Sequence, residues 1–285
     1  MTTPDSVAGS TAKKIVFADN DPILLEAIPE VLQAKGYEVH AVQDGLEALQ
    51  AIRRVRPAYV ILDVVMPKID GSRVCWLIRQ DPALRDTPVI AFSALGPEQI
   101  ARFPELSADA YVAKGPLAVV ANNLLAAIRY LEERGRGDLH GGIFGYEGFQ
   151  SRRLISEMLS LKRYWEALFR IFRQGVLALD EDGRVLLANP AAVRILGRKE
   201  AAMIGEPLPA LLAAREREAL QQTLGELTRA RLPQDTRIEL RVHGERVWLR
   251  LSNITEGGVC SGMLAILEFG EAPGKAGTKA IEKGR

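Results

Sequence analysis

The run Tyr59-Val60-Ile61-Leu62, followed at once by Asp63, constrains this chain more than any other feature. Four consecutive apolar residues without polar alternation describe a strand buried on both faces, the pattern of a parallel sheet covered by helices on each side. The run stops on a carboxylate, and Met66-Pro67 and Asp70-Gly71 then punctuate a loop before the next helix. A carboxylate at the carboxyl end of a buried strand stands where open α/β sheets present their ligand crevice. There it can act as a nucleophile toward phosphorus and form an aspartyl phosphate.

The flanking chain repeats the theme. Ile15 to Ala18 is a short apolar strand ending in Asp19-Asn20-Asp21, and Pro22 opens a helix that Gly36 closes. A second strand near Tyr37 to Ala41 and a helix from Asp44 to about Arg54 lead into the Tyr59 run. After a helix that follows Gly71, Pro88 to Phe92 is a fourth strand ending in Ser93-Ala94. A helix is expected between Pro97 and Leu106, and Ala110 to Ala113 is a fifth strand ending in Lys114. Strands alternating with helices mean βαβ units and a parallel sheet. All the polar residues of interest therefore fall on one edge of it.

The stretch D-V-V-M-P-K-I-D-G from Asp63 to Gly71 closely resembles the signature of two-component receiver (response-regulator, CheY-like) domains. The resemblance covers Lys13 to Arg134 and implies a doubly wound, flavodoxin-like five-stranded parallel sheet in the order 2-1-3-4-5. It implies Asp63 as phosphoacceptor, with Ser93 contacting the phosphoryl group and Lys114 neutralising it. Backbone N–H groups of Val64 and Ala94 would hold the phosphoryl oxygens, and Tyr111 matches the aromatic switch position. A magnesium ion would be held by Asp19, Asn20, Asp63 and the backbone carbonyl of Val65. Asn20 departs from the family, where a second carboxylate is usual. An amide oxygen still ligates magnesium but brings no charge, so weaker metal binding is expected, with Asp21 as the nearest replacement carboxylate.

Residues 135–150 are rich in glycine and read as a flexible linker, since no G-x-x-x-x-G-K-[ST] is present to make them a phosphate loop. From 151 to 174 the period changes. Leu154, Met158, Leu161, Trp165, Leu168 and Phe172 recur at spacings of four and three, as in a coiled coil. A signalling helix that joins two copies in parallel is expected.

From Gly175 two short apolar strands flank an Asp182-Gly183 turn, and a helix opens at Asn189-Pro190. Alternating strands follow near Arg237–Val242, Glu245–Ile254 and Val259–Phe269, joined by turns at His243-Gly244 and Gly257-Gly258. Residues 175–270 resemble a PAS sensor domain, an α+β fold with an antiparallel sheet. Pro190 to Leu232 hold neither Cys nor His, so neither a haem ligand nor a flavin-reactive thiol is evident. The ends, 1–12 and 271–285, read as disordered tails.

A formal net charge of +1 over 285 residues gives no electrostatic case for nucleic acid or an anionic membrane. Absence of a signal-peptide segment and of a long apolar run points to the cytoplasm. The expectation is a phosphorelay response regulator, not an enzyme beyond its own phosphorylation and dephosphorylation. It would take phosphate from a sensor histidine kinase or phosphotransfer protein and pass the signal to a PAS protein-interaction domain. One alternative is a degenerate receiver–PAS scaffold that acts by binding alone. Another, from Asp19-x-Asp21, is a haloacid-dehalogenase-like phosphatase, which leaves Met66-Pro67 and Asp70-Gly71 unexplained.

Overall fold

The structure, a computed structural model, describes residues 12–96, 106–134, 142–146, 161 and 164–270. The chain divides into two compact units, Met1–Lys162 and Arg163–Arg285.

The first unit alternates strands and helices: β1 (Lys14–Ala18), α1 (Pro22–Gln33), β2 (Glu38–Val42), α2 (Gly45–Val55), β3 (Tyr59–Asp63), α3 (Gly71–Gln80), β4 (Val89–Ser93), β5 (Ala110–Ala113), α4 (Leu117–Arg134) and β6 (Ile143–Phe144). The strands form one sheet in the order β2-β1-β3-β4-β5-β6, all in parallel pairs. Every residue of β3 and β4 is buried, which is what an unbroken apolar run in a central strand requires.

Helix starts are set by carboxylates. Asp21, Asp44 and Asp70 each accept a hydrogen bond from a first-turn N–H of α1, α2 and α3, satisfying a donor that the helix itself cannot. The helices then lay apolar faces on the sheet. Ile28 and Leu32 of α1 and Val120, Leu124 and Ile128 of α4 join Phe17, Ile61 and Phe92 in the core.

Two expectations are corrected here. The sheet has six strands, not five, because part of the glycine-rich stretch expected as a linker returns beside β5 as β6. The edge of β5 presents unpaired backbone groups, and Ile143–Phe144 supplies partners for them. The helix expected after Pro97 falls on residues 97–105, outside the described residues, as do Leu154 and Met158 of the heptad pattern.

The second unit holds β7 (Gly175–Leu179), β8 (Val185–Ala188), α5 (Pro190–Leu196), two 3-10 turns, α6 (Ala214–Arg229), β9 (Asp235–Val242), β10 (Glu245–Glu256) and β11 (Val259–Phe269). Its sheet is antiparallel, in the order β8-β7-β11-β10-β9. The turns at His243-Gly244 and Gly257-Gly258 carry positive φ at both residues, the mirror-image geometry that matches strand twist in a two-residue hairpin. Two buried asparagines tie the elements together. Asn189 Oδ1 accepts from Val176 and Ala192 N–H, and its amide donates to the Gln174 carbonyl. Asn253 Oδ1 accepts from Gln234 N–H while its Nδ2 donates to the Leu227 carbonyl. Among the described residues no helix is long and apolar enough to cross a membrane.

At the opposite edge of the first sheet from the polar strand ends, Arg79 closes α3 onto two loops. Its guanidinium meets Asp109 at 2.8 Å and donates to the carbonyls of Arg85, Thr87 and Ser107. Asp109, itself buried, also accepts from Val89 N–H at 2.7 Å. Removing one member of a buried ion pair costs about 3–5 kcal/mol. Arg79→Ala should therefore lower the unfolding free energy of the first unit by about that amount in urea titration. A loss below about 1 kcal/mol would show the network to be marginal.

Candidate functional site

The carboxyl ends of β1, β3, β4 and β5 converge because adjacent parallel strands run in register: Ala18 lies beside Leu62, Asp63 beside Phe92, and Ser93 beside Ala113. One residue further on, the chain delivers Asp19 from β1 and Lys114 from β5. Lys114 Nζ sits 2.8 Å from Asp19 Oδ2 and 2.8 Å from Asp63 Oδ2. One ammonium therefore bridges two carboxylates. Its stem lies against Phe92, with Nζ 5.2 Å from the ring centroid.

The surroundings are nearly dry. Asp19 and Ser93 are fully buried and Asp63 is 5% exposed. Asp63 Oδ1 accepts from Val65 N–H at 3.1 Å, Asp19 Oδ1 from Asp21 N–H at 2.9 Å, and Ser93 Oγ from Leu95 N–H at 3.0 Å. These bonds leave the Ser93 hydroxyl hydrogen available to a ligand. Burial pushes the Asp63 carboxyl up to about 6; Lys114 pulls it down, and the charge of Asp19 raises it. Two carboxylates facing one ammonium leave the ionised site one positive charge short.

The donors present fit a hard divalent cation. Asp19 and Asp63 offer carboxylate oxygens, and Val65 and Asn20 offer neutral ones. Among the described residues no group of three or more His, Cys, Asp or Glu is placed to hold a metal ion; at this site Asn20 brings an amide where a third carboxylate would stand. Asp21 also caps α1, its Oδ1 accepting from Ile23 N–H at 2.9 Å.

The remaining positions singled out in the sequence divide. Val64 is buried and Val65 is 39% exposed beside Asp63. Ala94 is half-buried next to Ser93. Tyr111 lies away from the carboxylates, buried, with its hydroxyl donating to the Leu106 carbonyl at 3.0 Å. Burial is the main cause that pushes its phenol up, ahead of the nearby Cys75 thiol.

Lys68 was not legible in the sequence. It adopts a φ of 59° and pairs with the buried Asp44 at 3.3 Å, tethering the loop after Asp63 to the start of α2. The close packing of that loop also requires Gly71, where a Cβ would collide with the Asp63 carbonyl. Asp70-Gly71 signalled the turn, but its partner on α2 is remote in sequence.

The response regulator receiver domain family matches residues 15–129, and the PAS fold family matches residues 163–259. The response regulator MprA of Mycobacterium sp. (strain KMS) is 34% identical over 184 residues, 63% of this chain and 74% of its own length. The chain belongs to the response regulator family. The DNA-binding dual master transcriptional regulator RpaA of Synechocystis sp. is 32% identical over 123 residues, 42% of this response regulator and 49% of RpaA. Among solved structures, the receiver domain of a signal transduction histidine kinase from Syntrophus aciditrophicus is 30% identical with a TM-score of 0.38. That match covers 45% of this chain and 96% of the other. The comparisons thus identify a receiver domain followed by a PAS domain, as the sequence implied.

The raised Asp63 pKa has a consequence for stability. A carboxyl that rises from 3.8 to about 6 on folding favours the native state while protonated. That contribution is complete below about pH 4 and is lost as pH climbs through 6, for a total of about 3 kcal/mol. Asp63→Asn cannot titrate there. In metal-free buffer its stability relative to the native protein should rise by about 2–2.5 kcal/mol between pH 4 and pH 7, read from urea midpoints. A pH-independent difference would contradict the burial argument.

Proposed function

We propose that this response regulator accepts a phosphoryl group on Asp63 from the phosphohistidine of a sensor histidine kinase or phosphotransfer protein. The observation that carries the reading is the Lys114 ammonium 2.8 Å from both Asp19 and Asp63. An Asp63 carboxylate oxygen forms the new bond to phosphorus while the bond from phosphorus to the imidazole nitrogen breaks, and the released imidazole takes up a proton. Lys114 follows the charge onto the phosphoryl oxygens, the Ser93 hydroxyl donates to one of them, and the Val64 and Ala94 N–H groups hold the others. Asp19, Asn20, Asp63 and the Val65 carbonyl would hold magnesium, which supplies positive charge against the phosphoryl oxygens when bound.

On this reading the receiver spans 13–134 and acts through residues 151–174 on a PAS domain at 175–270. No reaction beyond its own phosphorylation and dephosphorylation is assigned to it. The output is a protein contact, since a net charge of +1 gives no electrostatic drive toward nucleic acid or a membrane surface. The degenerate-scaffold reading rests on Asn20, which leaves two carboxylates where the family's usual set has three.

Incubation with acetyl phosphate and magnesium separates the two. Mass spectrometry should show one added phosphoryl group in the native protein and none in Asp63→Asn. Asn20→Asp should reach half-maximal labelling at about tenfold lower magnesium, about 1.4 kcal/mol. Persistent labelling of Asp63→Asn would remove the assignment, and no labelling of the native chain at any magnesium concentration would favour the scaffold.

We also infer that the helical residues before β7 join two copies. Leu161, Trp165, Ile171 and Phe172 are each more than half exposed, a large apolar surface for one short stretch. Sedimentation should give a dimer at tens of micromolar that Leu161→Glu with Leu168→Glu dissociates, since each copy would bring charge into an apolar seam. A monomeric native chain would overturn the inference.

A further inference from the structure

The β5 strand that ends in Lys114 is gripped on both sides. On one side it pairs with β4, where Lys114 N–H donates to the Ser93 carbonyl at 2.8 Å. On the other it pairs with β6, where Tyr111 N–H donates to the Gly142 carbonyl at 2.6 Å and Tyr111 and Val112 face Ile143 and Phe144. The same five residues make several independent fits. Phe144 meets Tyr130 edge-on at 6.0 Å and packs on the core. Gly142 is buried where a Cβ would lie 3.0 Å from the Asp109 carbonyl oxygen. Gly145 holds a φ of +76° where a Cβ would fall on the Asn123 amide. Tyr146 is half-buried near Tyr111, and its phenol is pushed up first by burial and then by that neighbour. A flexible spacer needs none of these fits.

The ladder is nevertheless only two residues long, so its opening free energy belongs at the low end of the range for local unfolding. We propose that residues 142–146 are a releasable strap on the β5 edge, docked when Asp63 is unmodified and released when it is phosphorylated. The inference rests on the phosphorylation reading above. A phosphoryl group on Asp63 brings close to two negative charges; Lys114, already 2.8 Å from Asp63, re-aims onto its oxygens and the Ser93 hydroxyl turns to it, which tightens the ends of β5 and β4 against β3. That movement is away from β6, and it strains the Tyr111–Gly142 bond. Because coupling is reciprocal, a chain whose strap cannot dock is more readily held in the phosphorylated form. Residues 142–146 stand in sequence between α4 and the second unit, so release alters what the second unit is tethered to. The fixed inward Tyr111 then acts as the strap's anchor.

Hydrogen exchange read by mass spectrometry on the full chain, with and without acetyl phosphate and magnesium, tests this, with intact mass recorded on each sample. Peptides covering Tyr111 and 142–146 should exchange at least tenfold faster in the phosphorylated protein, while those of β1 and β3 stay protected. Gly145→Val and Phe144→Ala should show the fast exchange without phosphate and keep β1 and β3 protected. Added mass on Asp63 with unchanged or slower exchange at Tyr111 overturns the strap alone. So does native-like protection of Tyr111 in both variants. No added mass overturns the phosphorylation reading and the release mechanism with it.

Discussion

One ammonium shared by two buried carboxylates governs the first unit. Asp19 and Asp63 would repel each other at the edge of a dry sheet, and a contact between unit charges at about 4 Å is worth roughly 4 kcal/mol at an effective dielectric of about 20. Lys114 offsets that repulsion at 2.8 Å from each, but one positive charge against two negative ones leaves a deficit. Burial, with a smaller push from the charge of Asp19, holds Asp63 up near 6 against the pull of Lys114. The site is therefore electrostatically incomplete by construction. It suits a visiting cation, with the Asp19 and Asp63 carboxylates and the Lys114 ammonium already in contact.

Everything around that triangle serves to fix three strand ends. The parallel register brings β1, β3 and β5 level, and the Arg79–Asp109 cluster pins the loops that lead into β4 and β5. The loop after Asp63 is tethered through Lys68 to Asp44. A φ of 59° at Lys68 places a non-glycine residue in a region that costs of order 1 kcal/mol or more, and the Asp44 contact helps to hold it there. The second unit achieves the same rigidity differently, with buried amides of Asn189 and Asn253 satisfying backbone groups where strand, turn and helix meet.

Much of this was legible from residue order. Tyr59 to Asp63 announced a doubly buried strand and its terminal carboxylate, because apolar runs and their stops are local properties. The Pro22 and Pro190 helix starts and the His243-Gly244 and Gly257-Gly258 turns were legible for the same reason. The convergence of Asp19, Asp63, Ser93 and Lys114 came from the resemblance to receivers, since no local rule brings four distant strand ends together. The capping role of Asp21 was not read from its neighbours, because it depends on where the helix axis points.

The sequence by itself determined the first five strands, the helices after Asp21, Asp44 and Gly71, and the residue that ends each strand at the site, because apolar runs and their stops act over a few residues. Tertiary structure alone decided that Lys114 bridges two carboxylates, that Lys68 reaches Asp44, and that Ile143–Phe144 form a strand where composition suggested a spacer. Glycine carries that ambiguity physically. Its missing Cβ permits both a free chain and the closest backbone approach, and only the presence of the β5 edge, Asn123 and Tyr130 selects the second.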